Sequence, residues 1–164
     1  MTELFINNEI SNFSKDLSGE SFTESCLLLN EFKDRDFIWS AWSAPSNIAL
    51  TKYWGKKANQ LPQNPSVSLT LDYCRTNLML ICSPKLEEEN TLSFYFHGIK
   101  KTKFGSKAFK LIKKVALDFP ILNDYDIQIL SNNTFPHSSG IASSASSMAS
   151  LSLCLNHLIF KIKK

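Results

Sequence analysis

Two short segments concentrate the groups able to bind an anion. Pro136-His137-Ser138-Ser139-Gly140-Ile141-Ala142-Ser143-Ser144-Ala145 is made almost wholly of small side chains and leads into an Ala/Ser-rich run. Such a loop lets backbone N–H groups approach a phosphate, and the helix that follows adds about half a positive charge at its N-terminus. Ser143 and Ser144 stand where a hydroxyl caps that helix or reaches a phosphate or its metal ion. A serine cap on a closely packed helix is the plainer reading of the same residues, and composition alone favours it. The loop is no Walker motif, because no Gly-Lys-Ser or Gly-Lys-Thr follows, nor is it G-x-G-x-x-G.

The second segment is Ala44-Pro45-Ser46-Asn47-Ile48-Ala49-Leu50-Thr51-Lys52-Tyr53-Trp54-Gly55-Lys56-Lys57. Lys52, Lys56 and Lys57 supply point charges, and Asn47 and Tyr53 supply directional donors. A strand end running into a basic loop makes an anion pocket; a solvated loop anchored to the core by Trp54 is the alternative. His137 beside the serine loop invites acid–base chemistry, although a capping or solvated histidine is the plainer reading. His97 and His157 fall on a strand and a helix position without metal-spaced partners and read as structural. The seven lysines between Lys100 and Lys114 read as a solvated helix face opposite an apolar stripe, with a nucleic-acid or nucleotide-attracting patch as the functional alternative.

These segments need elements to hold them. Phe37, Trp39 and Ala41 alternate with Ile38, Ser40 and Trp42, which predicts a strand covered on both faces, broken at Ala44-Pro45-Ser46. Leu61-Pro62-Gln63-Asn64-Pro65 is a rigid turn. Strict alternation predicts a half-buried strand from Ser66 to Asp72, another from Thr76 to Cys82, and a further one with Leu92, Phe94 and Phe96 inward. After Gly105 the period becomes helical, with Ala108, Ile112, Val115 and Phe119 on one side and Lys107, Lys110 and Lys114 on the other, ending at Pro120. Tyr125, Ile127 and Ile129 mark a fifth strand, Ser131-Asn132-Asn133 a turn, and Ile141 to Phe160 a second helix. Antiparallel-looking strands with two helices make an α+β domain at residues 37–164, preceded by an extension over 1–36.

Composition bounds the function. The chain has 164 residues, with 18 Lys and Arg against 15 Asp and Glu, a net +3 that does not demand a polyanionic partner. Of the basic residues only Arg35 and Arg75 are arginines, whereas nucleic-acid interfaces favour Arg forks, so no nucleic-acid partner is expected. No run approaches the ~20 apolar residues that span a bilayer, and the start lacks a basic segment before an apolar one; a cytoplasmic protein without a membrane partner is expected. Cys26, Cys74, Cys82 and Cys154 show no C-x-x-C spacing and read as reduced, mostly buried thiols.

Taken together the two segments are more specific than either alone. The run S-A-P-S-N-I-A-L-T-K-Y-W-G-K-K, followed by L-P-Q-N-P-S-V-S-L-T-L-D, closely resembles the N-terminal signature of diphosphomevalonate decarboxylases, and residues 133–145 resemble their phosphate loop. These enzymes belong to the GHMP group of small-molecule kinases. The resemblance implies a GHMP-kinase N-terminal domain, a ribosomal-protein-like mixed or antiparallel sheet with helices on one side. It implies ATP- and Mg2+-dependent conversion of (R)-5-diphosphomevalonate to isopentenyl diphosphate, ADP, phosphate and CO2, in an enzyme that is a homodimer at full length.

Carried over by position, Tyr53 and Lys56 would hold the substrate diphosphate, Asn47 would orient its carboxylate, and Lys52 would support the site electrostatically. Ser138, Ser139, Gly140, Ile141, Ala142, Ser143, Ser144 and Ala145 would cradle the ATP phosphates, with Ser144 nearest Mg2+. The family's catalytic Asp and its G-S-G-S-x-x-R-S-like segment have no counterpart in this chain, which implies a missing C-terminal domain and a fragment without turnover. A GHMP kinase that phosphorylates a mevalonate-type substrate without decarboxylation, or a non-catalytic binding module, are the alternatives.

Overall fold

The computed structural model describes residues 36–52, 54–58, 61–136 and 140–163. Tyr53, His137, Ser138, Ser139 and Cys26, and all but the last residue of the 1–36 extension, lie outside them. Strand β1 (Ile38–Thr51) places Phe37, Trp39 and Ala41 against Met79, Ile81 and Leu130 on one face. Ile38 faces the opposite core, so the alternation predicted at this start holds on both faces.

β1 does not stop at Ala44-Pro45-Ser46. It is an edge strand, where a proline costs no ladder hydrogen bond, and it absorbs Pro45 with a register shift before Ser46. Its partner β2 (Val67–Pro84) is one antiparallel strand rather than two. Pairing jumps from Pro45–Arg75 to Ser46–Leu71, so Asp72, Tyr73 and Cys74 bulge from the ladder, leaving Tyr73 94% exposed. Beyond this bulge the two strands continue as an arm. Ile48, Leu50, Val67 and Leu69 on it are exposed. The predicted half-buried strand at 66–72 therefore has the right alternation and the wrong burial, because no described element packs against the arm.

The sheet has five strands in the order β1-β2-β5-β3-β4, where β3 is Leu92–Phe96, β4 Ile99–Lys100 and β5 Tyr125–Asn133. β5 pairs antiparallel with β2 and parallel with β3, so the sheet is mixed. β5 runs on through Ser131, Asn132 and Asn133, which pair with Leu78, Asn77 and Thr76; the predicted turn there is strand. Polar residues fooled the reading because their partners on β2 are buried. His97 is likewise not on a strand. With Gly98 it makes the two-residue β3–β4 turn, both at positive φ (49° and 73°), as tight hairpins favour.

Helix α1 (Thr102–Asp118) starts one turn earlier than the pattern predicted, with Gly105 buried inside it. A short 3-10 turn, Pro120–Asp124, follows, and helix α2 spans Ser143–Ile162. Ala108 and Ile112 of α1 and Leu151, Cys154, Leu155 and Leu158 of α2 enclose Leu78, Leu80, Cys82, Ile127 and Ile129. Both helices thus lie on one face of the sheet, the expected α+β arrangement. Gly105 sets how closely α1 approaches: a Cβ there would sit 2.7 Å from Phe94 Cβ and 2.6 Å from the Phe109 ring. Gly105→Ala is therefore expected to lower stability, by up to about 2 kcal/mol. Overpacking costs about 1–3 kcal/mol, and the gain of about 1 kcal/mol in helix propensity offsets it only in part. A chemical denaturation midpoint at or above the wild-type value would refute that close approach.

Candidate functional site

The site is built where β5 hands over to α2. Thr134 fixes the exit: its N–H donates to the Arg75 carbonyl (2.9 Å), and its hydroxyl accepts from the Arg75 N–H (2.9 Å) and donates to the Tyr73 carbonyl (2.7 Å). Gly140 takes φ +79° with open space around its missing Cβ, so its requirement is conformational. The Ala142 N–H then donates to the Asn47 carbonyl at 3.3 Å. That hydrogen bond joins the serine loop to the basic segment of β1.

α2 begins without a side-chain cap, because the N-cap residue is Ala142. The serine-cap reading therefore fails; Ser143 and Ser144 lie inside the first turn, and Ser144 is exposed. Its uncapped end carries the positive end of the helix dipole. A buried polar spine ties this end to the sheet. Thr76 Oγ1 donates to Asn133 Oδ1 (2.9 Å) and lies 2.7 Å from the Ser146 hydroxyl, and Ser150 donates to the Thr76 carbonyl (2.9 Å). Thr76, Ser146 and Ser150 are all buried.

Beside the helix start opens a cavity of about 280 Å3, lined by Phe94, Phe96, Phe104, Lys103, Lys107, Asn133, Ser143, Ser144 and Ser147 among others. It is at the small end of the ~300–1,000 Å3 typical of small-molecule sites. Apolar walls from β3 and α1 face a rim of hydroxyls and ammonium groups. That combination suits a flat apolar ring with an anionic tail.

Asn47 meets the serine loop at Ala142 but does not line this cavity. Its Nδ2 donates to Ser68 Oγ (3.2 Å), while its Oδ1 is buried without a hydrogen-bond partner. Lys52 and Lys56 lie beyond it, both exposed, towards the tip of the arm; five residues of strand carry Lys52 about 16 Å from Asn47. The tip is organised by Asn64, which accepts from the Trp54 N–H (2.9 Å) and donates to the carbonyls of Lys52 (3.3 Å) and Pro65 (2.9 Å). Gly55 at φ +84° lets the loop close on Gln63. Trp54 is 80% exposed and does not anchor the loop to the core. The structure therefore brings Asn47 to the serine loop and sets the lysines on a projecting arm.

Cys82, Cys154 and His157 are packed into the fold away from this cavity. Burial pushes the thiols of Cys82 and Cys154 up to about 12. His157 holds β1 to α2, with Nδ1 3.1 Å from Ser40 Oγ and its ring edge-on to Trp42. Desolvation, and then the nearby Lys161 charge, lower its pKa below the usual histidine value. A histidine with a depressed folded-state pKa stabilises the fold above its unfolded pKa, and that stability is lost as pH falls through the folded value. The melting temperature should accordingly fall below about pH 6.5, and His157→Gln should flatten that slope; equal slopes would remove His157 as the cause. No group of three or more His, Cys, Asp or Glu side chains that could hold a metal ion exists among the described residues. No described helix is long and apolar enough to cross a membrane.

Residues 44–163 match the diphosphomevalonate decarboxylase-like N-terminal domain. The chain belongs to that family. The diphosphomevalonate decarboxylase of Schizosaccharomyces pombe is 36% identical over 122 residues, 65% of this chain and 30% of that protein. That of Saccharomyces cerevisiae is 34% identical over 120 residues, 66% of this chain and 30% of that protein. Among solved structures, mevalonate diphosphate decarboxylase from Staphylococcus aureus superposes with TM-score 0.60 at 30% identity, covering 77% of this chain and 38% of that one. The complex of MDDEF with MVAPP, AMPPCP and magnesium gives TM-score 0.60 at 33% identity, covering 74% and 36%. The chain thus spans about a third of the length of these decarboxylase relatives.

Sequence reasoning missed Thr76, Ser146 and Ser150, whose side chains meet between β2 and α2, and Asn64, read only as a turn residue. The recurrence of serine at 143, 146 and 150, one helical face, was the available signal for the spine.

Proposed function

We propose that this chain forms the nucleotide-binding part of an ATP-dependent diphosphomevalonate decarboxylase. The observation that carries this reading is the Ala142–Asn47 hydrogen bond, which couples the two signature segments next to an uncapped helix N-terminus and an apolar cavity. The cavity and helix end fit a nucleotide: Phe94, Phe96 and Phe104 face the base, and the N-terminus of α2 with the Ser144 hydroxyl faces the phosphates. No carboxylate lines that cavity, so of the lining side chains the Ser144 hydroxyl would be the one to hold Mg2+, alongside the nucleotide's own phosphates.

In such an enzyme ATP would transfer its γ-phosphoryl group to the substrate 3-hydroxyl and leave as ADP; as that phosphate departs, the electrons of the C–C bond to the carboxylate would form the new C=C bond and free CO2. Asn47, with one amide N–H committed to Ser68, uses the other to orient the substrate carboxylate. Tyr53 and Lys56 hold the diphosphate, and Lys52 adds positive charge on the same side. Calorimetric titration with a non-hydrolysable ATP analogue tests this: Mg2+-dependent binding, weakened in Ser144→Ala, is expected. Unchanged affinity and unchanged Mg2+ dependence in that variant would remove Ser144 from the site, and no binding by the wild type would remove the reading.

A further inference from the structure

Lys103, Lys107, Lys110 and Lys114 are exposed on α1. Spacings of four, three and four residues put them within an arc of about 60° over about 17 Å of helix. The arc lies opposite the buried line Gly105, Ala108, Ile112 and Ala116. Asp118, at the far end, is the one carboxylate on α1, and α2 carries none. The lysine stripe is directional. Its first two members, Lys103 and Lys107, line the cavity beside Ser143 and Ser144, whereas Lys110 and Lys114 do not. The N-terminus of α1 at this end has no side-chain cap, as at α2, so two helix dipoles add positive potential at the cavity mouth.

We propose that this stripe is an electrostatic rail that captures nucleotide polyphosphate from solution and guides it to the cavity. Lys110 and Lys114 speed encounter without touching the bound nucleotide. The inference rests on the nucleotide reading above. A row of like charges leading to one end of a low-dielectric cleft raises the local anion concentration and the association rate, and leaves dissociation to the contacts made in the cavity. A solvated face serving only solubility would not end at the cavity and would leave association unchanged.

The test is stopped-flow binding of a fluorescent ATP derivative at about 20 mM and about 500 mM salt, comparing wild type with K110E/K114E and the milder K110Q/K114Q. The rail predicts an association rate about 3- to 10-fold slower for K110E/K114E at low salt, with an intermediate value for K110Q/K114Q. Dissociation should not change, and the difference should vanish at high salt, where the Debye length falls to about 4 Å. Equal association rates at low salt, or a loss carried by faster dissociation, overturns the rail while leaving the nucleotide site standing. Failure of the wild type to bind at either salt overturns both. Matching thermal melts of the glutamine variant keep a folding defect from passing as a result.

Discussion

Ser144→Asp is expected to weaken binding of an ATP analogue about 10- to 100-fold, or about 1.4–2.8 kcal/mol, while making the protein more stable. The two signs come from one place. Ser144 is exposed in the first turn of α2, whose N-terminus has no side-chain cap. A carboxylate there complements the helix dipole, worth about 0.3–1 kcal/mol, and occupies the position a phosphate would take with a charge of the same sign. If Ser144 were only a surface helix residue, the stability gain would appear alone. Isothermal titration and thermal melting of one variant read both effects.

Thr76→Val is expected to cost about 1–3 kcal/mol of stability and to loosen the start of α2. Valine nearly conserves volume, so the loss is chemical. The Thr76 hydroxyl serves Asn133 Oδ1 and Ser146 Oγ in a buried setting, and a buried polar group left without its partner costs about 1–3 kcal/mol. Because Asn133 also lines the cavity, nucleotide affinity should fall together with stability. Urea denaturation with unchanged midpoint would show that the spine does not fasten the helix.

The elements whose hydrophobic faces meet the core were legible. Helix α1 reads from Ala108 and Ile112, and β5 from Ile127 and Ile129, because each period points at the same buried cluster. The errors have separate causes. Pro45 lies on an edge strand, where its missing donor is harmless. Ser131 to Asn133 pair with Leu78, Asn77 and Thr76, so buried partners rather than their own chemistry make them strand. The Val67 to Leu71 alternation is real, but periodicity reports a face and not whether anything covers it.

The site divided in the same way. Gly140 and Ser144 follow from loop chemistry, and Asn47 from its signature. That Asn47 meets the loop through its backbone carbonyl was not readable, since any residue type offers one. Nor was the distance of Lys52 from that contact readable from composition, because it follows from the unbroken course of β1 to Thr51.

The most direct test of the nucleotide site is residue-resolved. Backbone amide shifts of isotope-labelled protein, titrated with Mg2+ and a non-hydrolysable ATP analogue, should move at Gly140 to Ser147, at Asn47, and around Phe94, Phe96 and Phe104. The arm residues Val67 to Leu69 should stay still until a diphosphorylated substrate is added. Saturating nucleotide that leaves Gly140 to Ser147 unmoved, or that shifts only the arm, would contradict the placement of the phosphates at the start of α2.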